Sequence, residues 1–246
     1  MPKSLADRIA LVTGATRGIG WATALLLAKA GAHVIALGRT QGALEELDDA
    51  VRAAGATATL VPFDMRDYPG IYRLAKAVDE RHHRLDILVG NAAIAGQRSP
   101  LGHVDPPAWD EAMAVNVTAN FHLIRAMDPL LRRAPAGRAV FMTSGAATHA
   151  RAYSGPYSVS KAALDALART YAAETDSTAL RVNLFNPGPT RTRMRAQVMP
   201  GEDPMTLPTP EQVADAIVPL CLPSFCETGR LYDYRAGKLL EFVQPA

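Results

Sequence analysis

Short apolar runs alternate with helix-like stretches along almost the whole chain, and this alternation restricts the possible folds more than any other feature. Strand-like runs lie at 8–13, 32–37, 58–63, 86–90, 138–143 and 180–185, with a weaker one at 230–234. Most are apolar at nearly every position, which is typical of strands covered on both faces of a parallel sheet. Helical patterns separate them at 42–54, 68–83, 107–133 and 156–175. The sequence therefore predicts an α/β fold with a doubly wound parallel sheet of about seven strands flanked by helices.

The composition fits one soluble domain and excludes several classes of function. The 246 residues are 48% hydrophobic, enough to form the core of a single domain over 1–246. A net charge of +2 gives no general attraction to nucleic acid or to an anionic membrane. We expect no membrane span and no signal peptide, because no apolar run has the required length. The two cysteines, Cys221 and Cys226, are expected to be reduced thiols in a cytoplasmic protein, and no metal site is expected.

A glycine-rich loop, T-G-A-T-R-G-I-G at 13–20, connects the first predicted strand to the first predicted helix. Gly14, Gly18 and Gly20 would let the backbone turn tightly and let a pyrophosphate approach the helix N-terminus, whose free N–H groups favour anions. A tight turn with close packing is the structural alternative. The position after the first strand of a repeated strand–helix chain favours dinucleotide binding.

The end of the second predicted strand bears on which dinucleotide binds. An acidic residue there usually holds the free 2′-hydroxyl of NAD, but this chain has Gly38 followed by Arg39. A second arginine, Arg17, lies inside the glycine loop. Two guanidinium groups without a carboxylate suit a 2′-phosphate, although either could simply be solvated. The sequence therefore favours NADP(H) over NAD(H).

The segment Y-S-G-P-Y-S-V-S-K at 153–161 places two tyrosines near one lysine. Pro156 suits the first turn of a helix, so Tyr157 lies in that turn and Tyr153 outside it. Lys161 is four residues after Tyr157 on the same helical face. A nearby ammonium would stabilise the phenolate and let Tyr157 exchange protons near neutral pH. A pair on the helix surface is the alternative for this motif taken alone.

Two further polar residues support a catalytic interpretation. Ser144 follows the fifth predicted strand, at the edge where ligands bind in open α/β sheets, and could polarise a substrate carbonyl. Thr143 is its neighbour, but an adjacent position points to the opposite side. Asn116 lies inside a predicted helix, where asparagine is unfavourable. It could hold a water or a backbone carbonyl, or it could be a satisfied structural amide.

Together these motifs resemble the short-chain dehydrogenase/reductase family along nearly the whole chain. The matching pieces are 13–20, F-D-M at 63–65, N-A-A at 91–93, A-V-N-V at 114–117, Thr143–Ser144, Y-S-V-S-K at 157–161 and N-P-G-P-T-R-T at 186–192. The resemblance implies a Rossmann-like fold that binds a dinucleotide. It also implies an NADP(H)-dependent oxidoreductase that reduces an aldehyde or ketone to an alcohol or catalyses the reverse. The alternative is a non-catalytic nucleotide-binding regulator or scaffold on the same fold.

The same resemblance implies a role for each matching residue. Tyr157 would be the general acid/base, Ser144 the carbonyl orienter and Asn116 the anchor of a water in a proton relay, while Lys161 would bind the nicotinamide ribose and depress the pKa of the tyrosine. The residues implied to bind the cofactor are Gly14, Arg17, Gly18, Ile19, Gly20, Arg39, Asp64, Asn91, Tyr157, Lys161, Pro187, Thr190 and Thr192. The family is also one of homodimers and homotetramers, so we expect one of these states.

Two segments qualify these expectations. The stretch 187–209 is rich in Pro, Thr, Arg and Met and reads as a long loop that could close over a substrate as a lid. The C-terminal segment L-Y-D-Y-R-A-G-K lacks the paired glycines usual in the family after the last strand. Substrate identity does not follow from the sequence.

Overall fold

The structure, a computed structural model, describes residues 4–242 and contains eight strands. The strands are β1 (Ile9–Thr13), β2 (His33–Gly38), β3 (Ala58–Pro62), β4 (Ile87–Gly90), β5 (Arg138–Met142), β6 (Arg181–Asn186), β7 (Leu231–Asp233) and β8 (Lys238–Leu240). The helices are α1 (Gly18–Lys29), α2 (Gln41–Ala53), α3 (Tyr68–His82), α4 (Pro106–Met113), α5 (Ala119–Arg133), α6 (Ala146–His149), α7 (Gly155–Glu174), α8 (Arg193–Val198) and α9 (Pro210–Ile217).

All eight strands form one sheet in the order β3-β2-β1-β4-β5-β6-β7-β8. The first seven strands in this order are parallel, and β8 pairs antiparallel with β7. The chain starts in the middle at β1, builds outward to β3, and then returns to continue on the other side from β4. This reversal leaves a crevice at the carboxyl ends of β1 and β4, where open α/β sheets bind ligands.

Both faces of the sheet are buried, which explains why the strands are apolar at almost every position. Side chains such as Leu11 pack with α3, α5 and α7 on one face, whereas Ala10 and Val12 pack with α1, α2 and α9 on the other. This alternation follows from the period of two along a strand. The predicted α/β class and doubly wound parallel sheet are confirmed.

The sequence predicted about seven strands and did not predict β8. This strand is three residues long, and Lys238 and Leu240 are exposed at the edge of the sheet. It has neither the length nor the continuous apolar character of the central strands, so its sequence carries little strand signal.

The prediction of one continuous helix over 107–133 is wrong, because the segment is interrupted. The structure divides the segment into α4, a π-helical turn at Ala114–Thr118, and α5. The wider π turn accommodates the buried Asn116, and such turns are frequent at functional sites.

The stretch 187–209 is also more ordered than its sequence predicts. It contains α8, whose N-cap Thr192 accepts a hydrogen bond from the Arg195 backbone N–H, and a 3₁₀ turn at Pro204–Thr206. Arg195 and Glu202 form a bidentate ion pair across the segment at 2.5 and 2.6 Å. Among residues 4–242, no helix combines the length and apolar character needed to cross a membrane.

Candidate active site

The glycine loop forms a cradle at the carboxyl end of β1. Gly14 and Gly18 have φ values of +68° and +57°, which side chains rarely adopt. A Cβ at Gly20 would lie 2.3 Å from both the Asn91 Nδ2 atom and the Gly14 carbonyl oxygen. Asn91 donates hydrogen bonds to the carbonyl oxygens of Thr13 at 2.9 Å and Gly14 at 3.3 Å. Asn91, at the end of β4, therefore holds the shape of this loop.

The N-terminus of α1 opens into this cradle. Helix α1 begins at Gly18, its N-cap residue Arg17 makes no side-chain capping bond, and its first turn, which includes Ile19, contains no acidic residue. Its first N–H groups and the positive end of its dipole are thus available to an anion. The residues present fit the pyrophosphate of a dinucleotide.

The segment after β6 returns to the same loop. A Cβ at Gly18 would lie 3.4 Å from the Thr192 methyl group. Gly188, next to Pro187, has a φ of +62°, and the buried Thr190 hydroxyl lies 3.3 Å from the Gly188 carbonyl oxygen. The structure therefore brings the start of 187–209 against the glycine loop.

Two exposed arginines follow β1 and β2, whose carboxyl ends lie side by side in the sheet. Arg17 is in the glycine loop, and Arg39 follows β2 without a neighbouring carboxylate in Gly38–Thr40. A Cβ at Gly38 would lie only 2.2 Å from the Thr16 methyl group. Thr16 thus occupies the space in which an acidic side chain at residue 38 would begin.

Asp64 lies beyond β3 at the same edge of the sheet. Its carboxylate accepts from the Arg66 guanidinium at 2.7 Å. The hydrogen bond from Arg66 lowers the pKa of Asp64 to about 2, and the charge of Arg39 acts in the same direction. The carboxylate is therefore ionised and held in place by Arg66.

Ser144, Tyr157 and Lys161 meet at the carboxyl end of β5. Ser144 is two residues beyond the last strand residue, Met142, and Tyr157 lies in the first turn of α7. The Lys161 ammonium donates to the Met142 carbonyl oxygen at 2.6 Å and lies 5.7 Å from the centre of the Tyr157 ring. The second tyrosine, Tyr153, precedes α7 and is 57% exposed.

The ionisation of Tyr157 is governed mainly by its surroundings rather than by Lys161. Burial raises the pKa of the Tyr157 phenol above its usual value, and the nearby Ser144 hydroxyl opposes this rise, although no hydrogen bond of ordinary geometry joins the two groups. Burial also lowers the pKa of Lys161 to about 8, while the charge of Asp165 opposes this decrease. Tyr157 is consequently a neutral phenol, and thus a proton donor, at neutral pH.

Asn116 lies in the π turn and is fully buried. Its amide accepts from the Ile94 N–H and donates to the Ile94 carbonyl oxygen and the Ser160 hydroxyl, each at 2.9 Å. These bonds attach the loop after β4 to α7. The sequence left open whether Asn116 holds a water or a backbone carbonyl, or is a satisfied structural amide. In the structure its partners are the Ile94 backbone and the Ser160 hydroxyl.

Sequence reasoning missed one titratable residue in this region. Asp165 is buried one turn after Lys161 in α7, and the four-residue spacing that links Tyr157 with Lys161 could have identified it. Thr143, set aside in favour of Ser144, is buried beside it. His149 is exposed on α6 with its Nδ1 atom 2.6 Å from the Gly145 carbonyl oxygen. Within 4–242, no group of three or more possible ligands forms a metal cluster.

Comparisons with known proteins agree with this geometry. The family model described as short chain dehydrogenase matches residues 8–203. The Escherichia coli K12 oxidoreductase YciK is 38% identical over 242 residues, which cover 95% of this chain and 94% of YciK.

Two solved structures were obtained with a nicotinamide dinucleotide. A short chain dehydrogenase from Shigella flexneri 2a, complexed with NADP, is 35% identical with a TM-score of 0.91, covering 96% of this chain and 100% of that one. A short chain dehydrogenase from Escherichia coli CFT073, complexed with NADPH, is 37% identical with a TM-score of 0.88, covering 95% and 98%.

Proposed function

This chain belongs to the short-chain dehydrogenase/reductase family, and we therefore propose that it is an NADP(H)-dependent oxidoreductase. It would reduce a small-molecule aldehyde or ketone to an alcohol or catalyse the reverse. One observation carries the proposal. Ser144, Tyr157 and Lys161 converge at the carboxyl end of β5, on the edge of the sheet that also holds the glycine cradle.

The side chains divide the chemistry among them. The glycine cradle and Lys161 would hold NADPH, which would supply the hydride that reduces the carbonyl carbon. Tyr157 then donates its phenolic proton to the carbonyl oxygen, and Ser144 orients and polarises that oxygen. Lys161 places a positive charge near the phenol, which favours loss of the proton. Asn116 would hold the relay that returns a proton to this site.

The raised pKa of Tyr157 suits the reductive direction. At neutral pH the half-buried phenol carries its proton and can act as an acid. Oxidation of an alcohol requires the phenolate, so positive charge from Lys161 and from the oxidised nicotinamide must overcome the effect of burial. We infer that reduction is favoured at neutral pH and that oxidation needs a higher pH.

Several features support NADP(H) as the cofactor. Arg17 and Arg39 are exposed, and residues 38–40 after β2 contain no acid. Guanidinium groups bind a phosphate with charge-assisted hydrogen bonds. Two structurally similar proteins bind NADP or NADPH. The rest of the cofactor would be contacted by Asp64, Asn91, Thr190 and Thr192.

The segment 187–209 is proposed to form the substrate lid. Its start is anchored against the glycine loop by Thr192, whereas Met199 and Met205 expose apolar side chains. Flexible methionines can adapt to an apolar substrate. The free thiols Cys221 and Cys226 fit the proposed cytoplasmic location.

The test compares Tyr157→Phe with Tyr153→Phe, a matched change at the exposed tyrosine four residues earlier. Tyr157→Phe removes the proton donor, so we expect turnover to fall by about a hundredfold or more. NADPH binding, measured by thermal shift, should persist in both variants. Tyr153→Phe should retain most of its activity.

Turnover is followed as NADPH oxidation against a panel of aldehydes, ketones and quinones. Near-normal turnover by Tyr157→Phe would reject the proposed mechanism. NADPH binding by the unmodified protein without consumption across the panel would indicate a regulator or scaffold instead.

A further inference from the structure

Asp165 is a buried acid that the chemistry described so far does not use. It is 9% exposed in α7, one turn after Lys161, which is 2% exposed. Its Oδ1 atom has no hydrogen-bond partner among the described residues. A buried carboxylate without bonds is costly, so its presence requires an explanation.

The neighbouring Thr143 also has a buried polar atom without a hydrogen-bond partner among the described residues. This atom is the side-chain oxygen, Oγ1. The hydroxyl lies beside the Asp165 carboxyl and lowers the pKa of that group, although no bond of ordinary geometry joins them. Thr143 is adjacent to Ser144, so these two polar groups lie directly behind the proposed active site.

Lys161 faces this pair from one turn earlier on the same helical face. Its ammonium has one hydrogen bond, to the Met142 carbonyl oxygen. Among the described residues, no carboxylate lies within 4.0 Å of it. Within 4–242, Asp165 is the charged group that raises the pKa of Lys161, and it does so through space. Such an interaction is much stronger in a buried environment than in water.

Burial disfavours the charged forms of both Lys161 and Asp165, and the charge of each residue favours ionisation of the other. Burial lowers the pKa of Lys161 to about 8, and Asp165 counters this effect. Burial raises the pKa of Asp165 to about 6, and Thr143, Lys161 and Arg169 counter it. Both groups are therefore charged together between about pH 6 and pH 8.

Other charges contribute little to this pair. Arg169 is exposed one turn later in α7 and stacks on the Phe242 ring at 4.4 Å. The elements packed on α7 are α4, α5, α6, β5, β6 and the uncharged π turn. None of their charged or titratable residues contributes to either pKa; they are Asp110, Glu111, His122, Arg125, Asp128, Arg132, Arg133, Arg138, His149 and Arg181.

We propose that Asp165 is a positioning residue whose buried carboxylate, flanked by Thr143, is the counter-charge that keeps Lys161 protonated beside Tyr157. The proposal rests on the proposed function, because a charged Lys161 matters only if Tyr157 transfers protons. Among the described residues Asp165 acts on the pKa of Lys161 but not on that of Tyr157, so its effect on the phenol is expected to pass through Lys161. The carboxylate thus extends the site by one helical turn into the protein.

The decisive measurement is the pKa of Lys161 itself, followed by NMR of the side-chain Cε and Nζ signals in lysine-labelled protein. The chain has five lysines, and Lys161→Arg identifies the signal. Asp165→Asn should lower the measured pKa of Lys161 by about 1 or more. Glu174→Gln, which removes an exposed carboxylate from the same helix, should leave it unchanged, and Asp165→Glu should largely restore it.

The unmodified protein provides a measurement that no folding defect can obscure. The Lys161 signal should show a second inflection near pH 6, where Asp165 takes up a proton. Absence of this inflection overturns the proposal, as does an unchanged Lys161 pKa in a folded Asp165→Asn variant.

Activity provides an independent readout. The alkaline limb of kcat/KM for reduction should move to lower pH in Asp165→Asn by the same amount as the Lys161 pKa. A uniform loss of rate without this movement would mean a purely structural role and would overturn the proposal. A shifted Lys161 pKa in a protein whose Tyr157→Phe variant keeps full turnover would refute the proposed function while leaving the counter-charge intact.

Discussion

At the scale of single residues, we propose that Arg39 contributes most to the choice of NADP(H) over NAD(H). It follows β2, is exposed, and has no acidic neighbour in Gly38–Thr40. We expect Arg39→Asp to weaken NADPH binding by about tenfold to a hundredfold, because a charge-assisted hydrogen bond contributes about 1.5–3 kcal/mol. NADH binding should improve relative to NADPH.

The dissociation constants of both nucleotides would be measured by calorimetry. Arg81→Asp makes the same charge change at the far end of α3 and should affect neither. An unaltered preference for NADPH in Arg39→Asp would contradict the assignment. Introducing the acid at residue 38 is the less suitable design, because the Thr16 methyl group occupies the space of its Cβ.

Two candidate site residues could be placed from sequence position alone. Ser144 was placed by the end of the fifth predicted strand and Tyr157 by Pro156 at the start of a predicted helix, and the structure brings the two side chains together. The Met142 carbonyl as partner of Lys161 and the contact between Thr16 and Gly38 were not predictable. Both depend on distances of a few ångströms between segments, which local sequence patterns do not determine.

At the scale of elements, the π turn between α4 and α5 links the loop after β4 to α7. Asn116 makes three hydrogen bonds across this junction, two of them to the Ile94 backbone. Asn116→Ala would leave these buried or half-buried groups without partners. We expect the free energy of unfolding to fall by about 2–3 kcal/mol.

Urea denaturation measures this loss. Val117→Ala lies in the same turn but removes no hydrogen bond, so it should cost clearly less. If Asn116→Ala unfolds at the same urea concentration as the unmodified protein, the junction does not depend on this amide.

The elements themselves were predicted unequally. The central strands and flanking helices followed from continuous apolar runs and helical periodicity, because burial on both faces of a sheet imposes that pattern. The strand β8 was missed because an exposed three-residue edge strand has no such requirement. The π turn escaped prediction because its periodicity differs little from that of an α-helix over five residues, although Asn116 in mid-helix was a local sign.

At the scale of the whole molecule, one face of the sheet is covered by helices that leave large apolar side chains exposed. Tyr72 of α3, Phe121 of α5 and Val159 of α7 are each exposed, Phe121 at 44%. Phe121 also makes an edge contact with the His122 ring, which stacks on Tyr68. These helices are the surface on which we expect a homodimer or homotetramer to form.

Phe121→Glu should therefore shift the protein toward smaller species. Loss of a buried phenylalanine from each of two copies, about 1.5–3 kcal/mol apiece, would weaken association by roughly a hundredfold or more. Light scattering coupled to size-exclusion chromatography measures the mass. Met205→Glu, a similar change in 187–209, should not alter it, and an unchanged mass for Phe121→Glu would place the contact elsewhere.

The π turn also makes the length of one short segment critical to two distant surfaces. Each residue along a helix turns the chain by about 100°, so removing Val117 or Thr118 would rotate Asn116 relative to Phe121. Asn116 could then face inward only if Phe121 no longer faced outward. Insertions and deletions that evolution accepts freely in ordinary connections are therefore expected to be rare here, because a single one would disturb both chemistry and assembly.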